Sequence, residues 1–107
     1  ATQQEFKKGN GEGRSFTVGY PIAEEPLIEI SRDGGNFEPV SIGLKGLNQG
    51  EAEFYWAYQD SVITQEFDDE PIGSNDMLRI TYKGLYPLVV RTQRPEEVLK
   101  KKNKGIG

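Results

Sequence analysis

The strongest constraint in this sequence is that its apolar residues occur in short alternating runs, each closed by glycine, proline, asparagine or aspartate. Leu78, Ile80 and Tyr82, for example, alternate with polar side chains. A period of two predicts strands with one buried face. About seven such runs, at intervals of roughly 8–12 residues, predict an all-β fold, a small antiparallel β-sandwich or barrel. The predicted core residues are Phe16, Val18, Ile28, Ile30, Val40, Ile42, Phe54, Trp56, Ile63, Leu78, Ile80, Tyr82, Leu88 and Val90.

The clearest turn signal is Asp-Gly-Gly-Asn at residues 33–36. Asp-Gly and Gly-Asn tolerate the positive φ angles that tight hairpins require. We therefore expect the strand before Asp33 to pair with the strand after Asn36. The second of these strands contains Pro39, which has no N–H to donate to a ladder. We expect Pro39 to lie at a sheet edge or a bulge.

A second hairpin is predicted from the aromatic run at residues 53–58, a turn at 59–61 and the strand VITQ at 62–65. Because alternate residues of a strand share a face, Phe54 and Trp56 should be core and Tyr55 should point outward. Exposed aromatic rings and free strand edges are suited to contacts with partners. The predicted interaction surface comprises Tyr55, Tyr58, Tyr86 and Pro39.

Composition along the chain predicts three regions. Residues 1–13 are polar and include three glycines, so we expect a flexible lead-in. Residues 14–94 form the all-β domain. Residues 95–107 begin with proline and two glutamates and carry four lysines, which predicts the start of a truncated helix. No apolar run approaches the roughly 18 residues that cross a bilayer, so we expect no membrane span and no signal peptide.

Residue types also limit the chemistry that the chain can perform. It contains no cysteine and no histidine, which removes thiolate catalysis, imidazole acid–base catalysis and most zinc sites. The acidic stretch at residues 66–76 lacks the ligand spacing of a calcium loop and is interpreted as a solvated loop. With 17 acids against 13 bases the net charge is −4, which disfavours binding to nucleic acid. We predict no enzyme activity, no catalytic residue, no metal site and no cofactor.

Five segments, taken in order, resemble a β-rich module of long-tailed bacteriophage and prophage tail proteins from the baseplate or tail tip. They are FTVGYP at residues 16–21, SIGLKGLNQG at 41–50, FYW at 54–56, VITQ at 62–65 and DMLRITYKGLYP at 76–87. The resemblance spans residues 16–98. This chain has Glu53-Phe54 where the family's aromatic strand opens with Asp-Trp, and the family continues through a longer helix and an acidic segment.

The resemblance implies a structural role without catalytic residues or cofactors. The implied partners are other tail or baseplate subunits, with homo-oligomers of the full-length protein, and neither nucleic acid nor membrane. The implied location is the virion tail, assembled in the bacterial cytoplasm. The alternative is a carbohydrate-binding module that uses exposed aromatic residues, with a host-surface glycan as its ligand.

Overall fold

The computed structural model describes residues 2–47 and 50–86, which form eight β-strands and no helix. The strands are β1 (Thr2–Lys8), β2 (Ser15–Thr17), β3 (Leu27–Ser31), β4 (Phe37–Pro39), β5 (Ile42–Leu44), β6 (Phe54–Trp56), β7 (Val62–Gln65) and β8 (Met77–Lys83). The predicted all-β class is confirmed. No helix in these residues is long and apolar enough to cross a membrane.

The strands form two four-stranded sheets. The first sheet has the order β1-β8-β3-β4, and the second has the order β2-β7-β6-β5. Neighbouring strands are antiparallel, except that β5 and β6 run parallel. The free edges are therefore β1 and β4 in the first sheet and β2 and β5 in the second, among the described residues.

The core lies between the two sheets and draws side chains from both. The first sheet contributes the inward residues of β3 and β8, and the second contributes those of β2, β6 and β7. Its buried members are Phe16, Val18, Ile22, Ile28, Ile30, Phe54, Trp56, Ile63, Ile72, Leu78, Ile80 and Tyr82. Ten of these were predicted from the sequence, and Val40 and Ile42 pack against the cluster as partly buried residues. Ile22 and Ile72 were missed because each lies in a loop, where no alternating pattern marks it.

The predicted turn between β3 and β4 is confirmed. Asp33 and Gly34 both have positive φ, at 50° and 76°, and the Gly35 N–H donates to the Arg32 carbonyl over 2.9 Å. Two successive positive φ angles define a type I′ turn, whose twist matches that of the flanking strands. Arg32 and Gly35 close the turn, but Ser31 lies opposite Phe37, so one extra residue is accommodated on the β4 side of the hairpin. Strand β4 is an edge strand and contains Pro39, as expected.

The expectation of a flexible lead-in over residues 1–13 was wrong. Residues 2–8 form β1, which pairs with β8 along its whole length, from Thr2 opposite Lys83 to Lys8 opposite Met77. The composition argument failed because an edge strand needs little apolar surface when its backbone groups pair with an existing strand. A side-chain contact also fixes it, since the Glu5 carboxylate accepts hydrogen bonds from the Tyr82 hydroxyl and the Gly19 N–H.

Gly9 joins the end of β1 to the acidic loop through a close backbone approach. A Cβ atom placed on Gly9 would lie 2.4 Å from the Gly73 carbonyl oxygen and 2.5 Å from that of Ile72. The neighbouring Gly11 N–H donates to the same Ile72 carbonyl over 2.8 Å. These contacts hold the loop against the domain and keep Ile72 buried in the core.

Three predictions lie outside the described residues. They are the core positions Leu88 and Val90, the strand expected after Tyr86, and the helix expected to begin at Pro95.

We expect Gly9→Ala to lower the free energy of unfolding by about 1–3 kcal/mol, because the methyl group would meet backbone oxygens that cannot move aside. Urea denaturation of parent and variant measures the loss. Gly13→Ala is the matched control, since its Cβ would meet nothing closer than the Asn10 side chain at 3.6 Å. Equal stability of the two variants would contradict the close approach at Gly9.

Candidate functional site

The outward face of the first sheet carries a cluster that we call the aromatic face: Phe6, Leu27, Glu29, Phe37 and Arg79. Phe6 lies opposite Arg79 in the β1–β8 register, and Arg79 lies opposite Glu29 in the β8–β3 register. Residues directly opposite each other share a face of the sheet. The alternate residues Leu78, Ile80, Ile28 and Ile30 are buried in the core, so the aromatic face is the outer surface of this sheet.

Arg79 is the centre of this face. Its Nε and Nη2 atoms donate to the two carboxylate oxygens of Glu29 over 2.8 and 3.1 Å, a bidentate pair. Its guanidinium carbon also lies 4.3 Å from the centroid of the Phe37 ring, a cation–π contact. The hydrogen bonds from Arg79 hold the pKa of the Glu29 carboxyl below its ordinary value of 4.5. The Arg79 side chain is therefore held in one orientation by two neighbours.

Two phenylalanines from opposite edges of the sheet meet over Arg79. Phe6 on β1 and Phe37 on β4 have ring centroids 5.9 Å apart in an edge-to-face arrangement. Phe6 is nevertheless 51% exposed, and Leu27 on β3 is also exposed. Pro39, one of the four predicted contact residues, is exposed at the β4 edge opposite Glu29 and borders the same face.

The prediction that Tyr55 points outward was wrong, since Tyr55 is only 3% exposed. Its hydroxyl donates to the Glu66 carboxylate over 2.6 Å and accepts from the backbone N–H groups of Gly50 and Ala52. All three residues of β6 are buried, because residues 50–52 and Glu66 cover the face that was expected to be solvated. Tyr55 therefore stabilises the fold and cannot contact a partner.

Tyr58 and Tyr86 are both exposed, as predicted. Tyr86 packs edge-to-face on Tyr20, with ring centroids 4.6 Å apart, and its hydroxyl accepts a hydrogen bond from the Gln3 amide. A shallow groove of about 260 Å³ is lined by Pro21, Gln59, Leu85 and Tyr86. Tyr58 is next to Gln59 in the chain. This groove lies beyond the C-terminal end of β8, where Tyr86 contacts Gln3 of β1, whereas Pro39 lies on β4 at the opposite edge of the first sheet. The predicted residues therefore do not form one surface.

The inner side of β1 is anchored by Glu5 and Tyr82. The Tyr82 hydroxyl donates to Glu5 Oε2 over 2.6 Å and accepts from the Tyr20 N–H over 3.2 Å. Burial, together with the hydrogen bond to Glu5, raises the pKa of Tyr82 to about 12. For Glu5, burial acts to raise the pKa, but the hydrogen bonds from Tyr82, Gly19 and Lys7 outweigh it and keep the pKa below 4.5.

The acidic loop supplies no cation site within residues 2–47 and 50–86, where no three candidate ligands converge. Its first residue, Glu66, is instead committed to Tyr55 and to the N–H groups of Gly50 and Asp68. The Tyr55 hydrogen bond, followed by the backbone N–H donors, lowers the pKa of Glu66 below 4.5. This carboxylate acts as a structural anchor for the 50–52 segment.

Comparison with known proteins does not assign a family. The chain matches no protein-family model, and no curated protein is significantly similar to it in sequence. The likeness to bacteriophage tail proteins therefore depends on the order of the five segments quoted above, and the function that it implies is taken up as a proposal.

We expect Tyr55→Phe to lower the stability of the fold more at neutral pH than at acid pH. Glu66 has a lower pKa when folded than when unfolded, so its contribution is present above pH 4.5 and is lost as the pH falls through the folded pKa. Removing the hydroxyl raises the folded pKa of Glu66 and shrinks that contribution. The difference in urea midpoint between parent and variant should be largest at neutral pH and should narrow well below pH 4.5, leaving the constant loss of the Gly50 and Ala52 hydrogen bonds. Tyr58→Phe is the control, and an equal loss in that variant would contradict the role of Tyr55.

The Tyr82 hydroxyl should produce the opposite dependence on the alkaline side. Its folded pKa of about 12 exceeds the ordinary value of 10.0, so its contribution is complete below pH 10 and is lost as the pH rises toward 12. Tyr82→Phe should flatten the fall in stability over that range. The tyrosinate absorbance that appears near pH 12 should be smaller in the variant by the contribution of one tyrosine; a signal unchanged by the substitution would contradict the assignment.

Proposed function

We propose that this protein is a non-enzymatic structural module of a bacteriophage or prophage tail, of baseplate type, that works through contacts with neighbouring protein subunits. Its all-β, two-sheet fold is compatible with such a role, but a fold alone does not specify a function. The ordered resemblance of residues 16–98 to tail proteins supplies the biological setting. The surface of the first sheet supplies the physical argument.

The aromatic face is the observation that carries the proposal. Interfaces between proteins are enriched in aromatic residues, methionine and arginine, and their strongest contacts centre on such groups. Here Phe6, Phe37 and Arg79 lie together on one exposed face, and Met77 is partly exposed on the same side of β8. Arg79 is already held by Glu29 and Phe37, so little side-chain entropy remains to be lost when a partner covers it.

The free edges fit the same role. In the described part of the chain each sheet ends on strands that have only one neighbouring strand, and a neighbouring subunit can continue the sheet there. Three of the four edges, β2, β4 and β5, are only three residues long, which limits unwanted association before assembly. The net charge of −4 keeps unassembled chains apart.

Carbohydrate binding is the second candidate function, and one observation favours it. The groove lined by Pro21, Gln59, Leu85 and Tyr86 presents an aromatic ring beside an amide, the combination that stacks on a sugar and bonds its hydroxyls. Tyr55, which the sequence had offered for this role, is buried. A sugar site would therefore be confined to Tyr86 and its neighbours, including Tyr58.

The proposed function predicts that the chain is a component of tail particles. Particles should be purified after prophage induction in the bacterium that carries the gene. Mass spectrometry should find peptides of this chain alongside other tail proteins, and antibodies against the chain should label the tail end in electron micrographs. Particles that contain intact tails but no trace of the chain would refute the proposal.

The matched pair Leu27→Ser and Leu47→Ser tests the aromatic face itself. Both leucines are exposed, but only Leu27 lies on that face. We expect Leu27→Ser to reduce the yield of assembled tails and Leu47→Ser to leave it unchanged, with both purified proteins folded. If tails assemble normally in both variants and a glycan array shows selective binding that is lost in Tyr86→Ala, the carbohydrate function replaces the assembly function.

A further inference from the structure

Strand β1 has the longest free edge in the described part of the chain. It runs for seven residues, Thr2–Lys8, and of the described strands it pairs only with β8. Its opposite side therefore presents a row of backbone donors and acceptors. Such an edge is a template for another strand unless something covers or breaks it.

The other edges are protected in ways that β1 is not. Strands β2, β4 and β5 have three residues each, and β4 ends in Pro39. Strand β1 contains no proline and no bulge in its pairing with β8. Its side chains that discourage pairing are Lys7 and Lys8, and whether these lysines repel another strand depends on which residues lie opposite them.

The sequence of β1 is complementary to itself in one register. Two copies related by a two-fold axis pair in antiparallel orientation, and opposite residues must lie on the same face of the joined sheet. Only registers that place a residue opposite its own copy meet this condition. With Glu5 or Lys7 on the axis, like charges face each other. With Phe6 on the axis, Glu5 of each copy lies opposite Lys7 of the other, and Gln4 lies opposite Lys8.

We propose that β1 pairs with β1 of a second copy of this chain, in antiparallel orientation with Phe6 on the two-fold axis, to form a continuous eight-stranded sheet. This inference deepens the proposed function by naming a partner, and it rests on that function for its biological setting. Charge complementarity favours a second copy of the chain as the partner of the β1 edge. Glu5 directs Oε2 toward Tyr82 and Gly19, while its Oε1 lies 3.4 Å from Lys7 Nζ of its own chain. In the dimer, that side of Glu5 also faces Lys7 of the second copy.

The same register accounts for the exposure of Phe6. On the axis, the two Phe6 side chains are direct cross-strand neighbours on the outer surface, with Cβ atoms about 4.5–5.5 Å apart. The aromatic faces of the two copies then join into one larger surface centred on this pair. Phe6 is 51% exposed in the single chain, and the proposed pairing would cover part of this area.

Cysteine cross-linking tests the register directly, because the chain has no cysteine of its own. Phe6→Cys places two thiols on the axis and should give a covalent dimer rapidly under mild oxidation or with a short thiol-to-thiol cross-linker. Gln4→Cys is the matched control on the same strand and face, since its two thiols would lie four residues apart along the strand, about 14 Å. Mixing Gln4→Cys with Lys8→Cys should restore cross-linking between the two variants only.

Sedimentation of the unmodified chain should show a monomer–dimer equilibrium, and Lys7→Glu should shift it toward monomer by placing Glu5 opposite a second acid. Phe6→Ser is the folding control for the cysteine variant. Its melting transition should lie close to that of the parent, because Phe6 lies on the exposed face of β1. A parent that stays monomeric, or Gln4→Cys cross-linking as fast as Phe6→Cys, would overturn the inference. So would protection of the outward β1 amides from hydrogen exchange in a monomer, because another segment would then occupy the edge.

These outcomes are separate from those that test the proposed function. A dimer with the predicted register in a chain that is absent from tail particles would refute the tail function and leave the β1 pairing intact. A chain that is present in tail particles but fails the cross-linking test would refute the β1 pairing alone.

Discussion

The pairing of β8 with two neighbours at once is the constraint on which both surfaces of the first sheet depend. Leu78, Ile80 and Tyr82 are buried on one side, and β1 and β3 are held against the two edges of the strand. Because side chains alternate, burying these three residues necessarily places Arg79 on the outer face. A register slip of one residue would exchange the core for the aromatic face, so the same hydrophobic burial that stabilises the domain also fixes the positions of the residues on that face.

The parts of the fold that could be predicted from the sequence are those in which the determinants are local. The alternation in β8 and the Asp33-Gly34 turn each act within a few residues, and both were found where the sequence placed them. The edge position of Pro39 could be predicted because proline lacks the N–H that a residue in a central strand donates. The core list was mostly correct for the same reason, since a period of two is visible in one strand without knowledge of its partners.

The features that could not be predicted depend on partners distant in sequence. Thr2 pairs with Lys83, and nothing in the polar run Gln-Gln-Glu-Phe-Lys-Lys indicates that this segment will pair with the edge of β8. Tyr55 is buried because residues 50–52 and Glu66 fold over it, which alternation within β6 cannot reveal. The aromatic face combines residues from four strands and has no linear signature. The one sequence signal for this face is Phe6, a single aromatic residue in a polar segment.

The polar inner side of β1 explains why the edge of this sheet stays open. Gln3, Glu5 and Lys7 face the same side as Ile80 and Tyr82 but cannot enter an apolar core, since burying a charge without a partner is costly. The core therefore ends at Tyr82, whose hydroxyl satisfies Glu5, and β1 lies beyond it, held by backbone pairing to β8 and by side-chain contacts of Gln3, Glu5 and Phe6. A strand held in this way gains from further pairing more than a core strand does. The open edge of β1 is thus the place on this sheet where a further strand can be added, as the proposed pairing requires.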